Sequence, residues 1–283
     1  MSSNARLKKW LSDLHCYRAI QRSLAGRHDH IAKAYQQQWP NFIIIGSAKS
    51  ATTTLATVLG QHPDIQMSAS MEPKFFGRNY RRGWEWYGQQ FSGGEDCRLR
   101  GEASTMYTSS YRSYQHTPQL IRHHLGIIPL IYLVRHPLRR IESHWRHWRG
   151  RIDDYPPFHQ LLESKALKRR VVEGSLYNRQ LTRYRQWFPA ESIHCVATEE
   201  LTTHPIKSLN AILQFLGQPA NGSALLVKGA LPLTNSAGSK GRREIAPPEW
   251  SAELKKQTIE LIRPDSEQFL KTLHWPNNTW KWD

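Results

Sequence analysis

Ile43-Ile44-Ile45-Gly46-Ser47-Ala48-Lys49-Ser50-Ala51-Thr52-Thr53-Thr54-Leu55 decides the fold of this 283-residue chain. A β-branched apolar run stops at a glycine, passes a lysine set among small hydroxylated residues, and continues with helical character. A buried strand turning into a helix N-terminus presents unpaired N–H groups and the positive end of the helix dipole. Gly46 lets the backbone approach a ligand closely, and Lys49 adds a mobile cation. Ser47, Ala48, Ser50, Ala51, Thr52 and Thr53 complete a small-residue loop whose hydroxyls are further donors. The stretch is built to cradle a phosphate-like anion.

The loop is not a Walker A sequence, in which the lysine directly follows a second glycine and precedes a Mg²⁺-binding hydroxyl. Lys49 stands three residues after Gly46 with no second glycine before it. The next strongly apolar run, Ile127-Ile128-Pro129-Leu130-Ile131-Tyr132-Leu133-Val134, ends in Arg135-His136-Pro137. A P-loop kinase or NTPase usually carries an aspartate for magnesium at such a strand end. Arginine there implies a second anionic group held by protein charge, without metal. Pro137 suits the first turn of a helix, and Ser143 follows about a turn and a half later. Arginine's planar fork and a hydroxyl together suit phosphate oxygens.

These two segments resemble the sulfotransferases that use 3′-phosphoadenosine 5′-phosphosulfate (PAPS). The resemblance assigns Gly46 to Thr53 to the 5′-phosphosulfate, and Arg135 with Ser143 to the ribose 3′-phosphate. Further segments fall in order along the chain. Ser70-Met71-Glu72-Pro73-Lys74-Phe75-Phe76 resembles the segment of the carbohydrate branch whose glutamate is the catalytic base. Gly101-Glu102-Ala103-Ser104-Thr105-Met106-Tyr107 is similar to a stretch of that branch, and Ser239-Lys240-Gly241-Arg242 to its loop over the 3′-phosphate and adenine. The heparan sulfate N- and 3-O-sulfotransferases and their bacterial cousins are the nearest likeness. It implies Glu72 as base, Lys49 on the leaving phosphate, and Lys74, Glu102 and Ser104 toward the acceptor. Trp84, in Trp84-Glu85-Trp86-Tyr87, is the expected acceptor wall, although most tryptophans should be core. For Glu102 a buried carboxylate tied to Arg100 or Arg78 is the rival reading. Met71, Lys74 and Thr105 depart from the lysine, histidine and proline common at those positions.

Composition bounds the rest. The formal charge of +16 points to a polyanionic partner: an anionic donor with an acidic glycan or glycolipid, an anionic membrane surface, or nucleic acid, for which no motif is present. Three scattered cysteines give no metal spacing and exclude a disulfide scaffold. Adjacent His123 and His124 read as a surface pair. No apolar run approaches the ~20 residues of a spanning helix and no signal peptide is evident, so the expectation is a cytoplasmic enzyme. Leu7, Trp10, Leu11 and Leu14 form a helical stripe in a basic extension, residues 1–40, that either packs on the domain edge or lies on a membrane.

Residues 41–283 read as one domain. Strands are expected at 42–46, 64–68, 98–102, 127–134 and 192–197, and helices at 53–61, 111–125, from 138, 176–188, 206–216 and 248–273. Residues 230–243 read as a loop. The alternation predicts a three-layer α/β/α fold with a mostly parallel sheet, of P-loop-like sulfotransferase type. Glu72 would then stand just past the second strand, on the sheet edge where Lys49 and Arg135 also lie. A sulfotransferase acting on a carbohydrate hydroxyl or amine is the leading reading. A P-loop kinase or NTPase would need Mg²⁺ and ATP. A noncatalytic polyanion binder would tolerate loss of Glu72 and Lys49.

Overall fold

The computed structural model describes residues 3–232 and 243–282. Five strands form one sheet: β1 (Phe42–Gly46), β2 (Ile65–Met67), β3 (Leu99–Ala103), β4 (Leu130–Val134) and β5 (Ile193–Ala197). Their order is β2-β3-β1-β4-β5 and every pairing is parallel. Every residue of β1 and β4 is buried, as continuous apolar runs in a parallel sheet require.

Alternation along β1 divides the core between the two faces. Phe42 and Ile44 pack with Ile131 and Leu133 under α3 (Thr52–Leu59) and α10 (Pro205–Phe215). Ile43 and Ile45 pack with Leu130, Tyr132 and Val134 on the opposite face. That face is covered by α1 (Ser3–Leu24), α4 (Gly83–Gln89), α5 (Thr117–Leu125), α8 (Tyr177–Arg185) and α11 (Ala252–Thr272). The three layers are those expected. A third cluster joins α6 (Pro137–Arg149) to α7 (Lys165–Leu167), the π-helical turn Lys168–Val172 and α11. Short helices α2 (Asp29–Lys33) and α9 (Thr198–Thr203) complete the set.

Element bounds depart from expectation where proline intervenes. The helix expected from residue 111 starts at Thr117, because Pro118 cannot continue one backward; Arg112–Tyr114 is a separate 3₁₀ turn. The strand expected from 127 starts at Leu130, after Pro129, and Ile127 is exposed. The closing helix begins at Ala252, past Pro247 and Pro248, with the Ser251 hydroxyl accepting the Leu254 N–H. Within the extension, Cys16, Ile20, Ala32 and Trp39 are buried in the same core cluster as Tyr80 and Trp84. Leu14 is partly covered, and the side chains of Leu7, Trp10 and Leu11 lie outside those described. Among the described residues no helix is long and apolar enough to cross a membrane.

The order places β1 between β3 and β4, so chain direction across the sheet changes between β1 and β4. Loops leaving the carboxyl ends of those two strands diverge there and open a crevice. The candidate residues belong to these loops and to the ones after β2 and β3.

Candidate active site

The loop after β1 is fixed from below. Ser47 N–H donates to the Leu133 carbonyl (2.6 Å), and the buried Ser47 and Ser50 hydroxyls lie 2.7 Å apart. Lys49 and Ala51 adopt left-handed backbone (φ 74° and 60°), which turns successive amides inward as in an anion-binding nest. Among the described residues no side chain caps α3, whose N-terminus turns the positive end of its dipole toward the loop. The close approach that Gly46 permits is made by protein: a Cβ there would meet Thr108 Oγ1 at 2.1 Å and the Thr105 carbonyl at 3.2 Å. Lys49 is half-buried, with Nζ 3.4 Å from His147 Nδ1 on α6.

Arg135 ends β4. The Tyr177 hydroxyl donates to its carbonyl (2.6 Å), and Glu199 accepts the next N–H, from His136 (2.9 Å). Its half-buried guanidinium takes no hydrogen bond or ion pair among the described residues. Ser143 lies on α6 one turn before His147, so the two share a face, and His147 touches Lys49. The opposite face of α6 buries Leu138, Ile141 and Trp145. Ser239, Lys240, Gly241 and Arg242 lie outside the described residues. Downstream of them, Arg243 N–H donates to the Gly150 carbonyl (3.2 Å), and Arg146 Nε to the Ile245 carbonyl (2.7 Å). The chain therefore leaves that segment along α6.

A buried cation that sequence reasoning missed supports the loop. Arg140, 1% exposed, donates to Ser175 Oγ (2.7 Å), to the Ala48 carbonyl (3.3 Å) and to the Val171 carbonyl. Burial disfavours its charge, yet guanidinium stays protonated. The signal was present in Arg135-His136-Pro137-Leu138-Arg139-Arg140, five residues after Arg135. Gly174 leaves room for it, since a Cβ there would stand 2.9 Å from Nη1.

Glu72 stands after β2, about a quarter exposed, with both oxygens engaged. Thr105 Oγ1 donates to Oε1 (2.7 Å) and Lys74 Nζ pairs with Oε2 (2.7 Å). Thr105 does what the more usual proline cannot, because proline has no hydroxyl. Lys74 has left-handed backbone (φ 52°), and its N–H donates to Ser104 Oγ (2.9 Å).

Three expected acceptor residues are placed differently. Glu102 is fully buried beneath the cleft and is tied to neither Arg100 nor Arg78. It accepts from Tyr107 (2.7 Å), Tyr87 (3.0 Å) and Ser104 (3.0 Å), while burial pushes its carboxyl up to about 7. Ser104 is likewise buried and serves the Lys74 backbone. Trp84 is core: α4 packs it against Phe75, Trp39 and His124, with centroids 4.6–4.9 Å away. The His123–His124 pair is less superficial than expected. His123 Nε2 pairs with Asp29 (2.8 Å), and His124 Nε2 bonds the Ser23 hydroxyl (2.9 Å). Burial takes His124 down to about 3.

A cavity of about 560 Å³ begins at Ser47, Ala48 and Lys74 and extends to Arg78, Tyr111, Trp148, Arg169 and Arg170. Arg169 lies over the Tyr111 ring (5.0 Å) and Arg170 over the Trp148 ring (4.4 Å), while Arg170 Nε donates to Tyr111 Oη (3.0 Å). Among the described residues no aspartate or glutamate lines it. Sequence reasoning did not single out Arg169 and Arg170, a charge run in an irregular turn without periodicity. Trp148 packs against the α6 core cluster and also lines the cavity.

The family described as "Sulfotransferase domain" matches residues 40–229. The chain is 28% identical over 268 residues to heparan sulfate glucosamine 3-O-sulfotransferase 5 of Mus musculus, covering 85% of this chain and 75% of that one. It is 29% identical over 194 residues to the mouse 3-O-sulfotransferase 3B1, covering 65% and 47%. The crystal structure of a sulfotransferase from Alicyclobacillus acidocaldarius has the same fold, with TM-score 0.66, 24% identity, and 84% of this chain and 97% of that one covered. With the family match spanning well over half of its length, the chain belongs to the sulfotransferase domain family and is a sulfotransferase.

Proposed function

We propose that the chain moves the sulfuryl group of PAPS to a hydroxyl or amine of an acidic carbohydrate, by in-line displacement. The acceptor atom bonds to sulfur as the bond from sulfur to the 5′-phosphate oxygen breaks. The acceptor's proton passes to Glu72, and the negative charge left on 3′-phosphoadenosine 5′-phosphate (PAP) falls near Lys49 and the α3 N-terminus. Arg135 and Ser143 hold the 3′-phosphate, with Ser239, Lys240, Gly241 and Arg242 as the covering loop. Lys74 stands between base and acceptor.

The carrying observation is the cavity. Its lining runs from the β1 loop and Lys74 to Arg78, Arg169 and Arg170, and among the described residues it includes no carboxylate. Aromatic faces beside guanidinium groups suit a sugar ring bearing sulfate or carboxylate. The curated relatives named above, which act on heparan sulfate, support a glycan acceptor. Transfer of ³⁵S from labelled PAPS to sulfated or uronic-acid oligosaccharides, beside neutral ones, tests the reading. Acidic glycans should be labelled, and Glu72→Gln should lower kcat by about 10²–10⁴-fold while PAP binds unchanged. Labelling of neutral glycans alone would refute the acidic acceptor, and normal turnover in Glu72→Gln would refute the base.

A further inference from the structure

We infer that the turn following β3 is the positioning element for the base, with Thr105 orienting the Glu72 carboxylate and Glu102 holding the turn and the base segment together from beneath. This rests on Glu72 being the base and adds what fixes it.

The contacts form a ladder between two segments. Thr105 Oγ1 donates to Glu72 Oε1 (2.7 Å), Ser104 Oγ accepts the Lys74 N–H (2.9 Å), and Tyr107 Oη accepts the Phe76 N–H (3.1 Å). Ser104 and Tyr107 each give their own hydroxyl proton to Glu102 (3.0 and 2.7 Å). A hydroxyl has one proton, so donation to the buried carboxylate leaves only oxygen lone pairs facing the base segment. Glu102 thereby keeps both hydroxyl oxygens as acceptors for these backbone N–H groups. The same turn abuts the donor loop, since the Thr105 carbonyl and Thr108 hydroxyl fill the space at Gly46. Base and donor cradle are referenced to one piece of backbone.

Thr105 is the residue whose contribution can be isolated. Its hydroxyl fixes one carboxylate oxygen, while the second oxygen meets Lys74. Lys74 pairs with Glu72 directly, and the charge of Glu72 also reaches Glu102 and Tyr114. Thr105→Val keeps shape and removes the donor; Thr105→Ser restores the donor.

The test measures PAP affinity by calorimetry, kcat and acceptor KM, and the ¹³C NMR signal of the Glu72 carboxyl at one fixed pH in wild type, Thr105→Val and Thr105→Ser. Expected are equal PAP affinities, a kcat about tenfold lower in Thr105→Val with acceptor KM unchanged, a displaced Glu72 carboxyl signal, and recovery of kcat and signal in Thr105→Ser. A Glu72 signal unmoved by Thr105→Val overturns the inference, as does failure of serine to rescue. Absence of sulfuryl transfer in wild type would instead count against the proposed function, while the NMR signal would still decide the inference.

Discussion

Replacing Glu102 by glutamine should change how stability depends on pH, by an amount that follows from the burial of this carboxyl. Glu102 is fully buried among Tyr87, Tyr107 and Ser104, and burial outweighs their three hydrogen bonds, raising the group from 4.5 to about 7. A carboxyl raised on folding binds its proton more tightly in the folded chain. The stability it contributes is complete below pH 4.5 and is lost as pH rises through about 7. At roughly 1.4 kcal/mol per pH unit the full effect is on the order of 3 kcal/mol, and most of it falls between pH 5 and 8. Glutamine does not titrate, so the wild type should lose about 2–3 kcal/mol relative to Glu102→Gln over that interval. Urea unfolding of both proteins at pH 5, 6, 7 and 8 gives the difference directly. A constant difference, or a wild type gaining on the variant as pH rises, would refute the reasoning that burial dominates this carboxyl.

Other substitutions probe the remaining parts. Gly46→Ala places a Cβ 2.1 Å from Thr108 Oγ1 at a φ of 149°, and should cost about 2–4 kcal/mol in chemical denaturation together with donor affinity. Arg140→Ala strips the Ala48 and Val171 carbonyls of their buried donor and opens a cavity, so a loss of about 3–5 kcal/mol and weakened PAP binding are expected in the same assays. Trp84→Ala should lower stability by about 3–5 kcal/mol and leave the acceptor KM unmoved, as suits a core residue and not a cleft wall.

The strand-loop-helix at residues 43–55 was legible because its information is local. A β-branched run, one glycine and a small-residue turn specify the geometry without reference to distant chain. The strand ending at Val134 was legible for the same reason, and parallel alternation then brought Lys49, Glu72 and Arg135 to one edge. What was not legible depends on partners far away in sequence. Glu102 reads equally well as part of a cleft wall or of a buried knot; the hydroxyl of Tyr87, brought in by α4 beside those of Ser104 and Tyr107, makes it a knot. Trp84 carried no mark separating core from wall, since tryptophan serves both, and packing against Trp39 decides it. Arg169 and Arg170 reach the cavity from a π-helical turn, where neither helical nor strand period points to a face. Prolines at 118 and 129 were visible but underweighted, and each trimmed an element.

In the proposed donor site, Arg135 and the β1 loop hold an adenosine bisphosphate by protein charge. Calorimetric titration of PAP, beside ATP with and without Mg²⁺, into wild type and Arg135→Ala tests this site. PAP should bind independently of Mg²⁺, more strongly than ATP, and at least about tenfold more weakly to Arg135→Ala, through the loss of one charged, bidentate contact. Preference for ATP with Mg²⁺, or PAP affinity unchanged in Arg135→Ala, would contradict it.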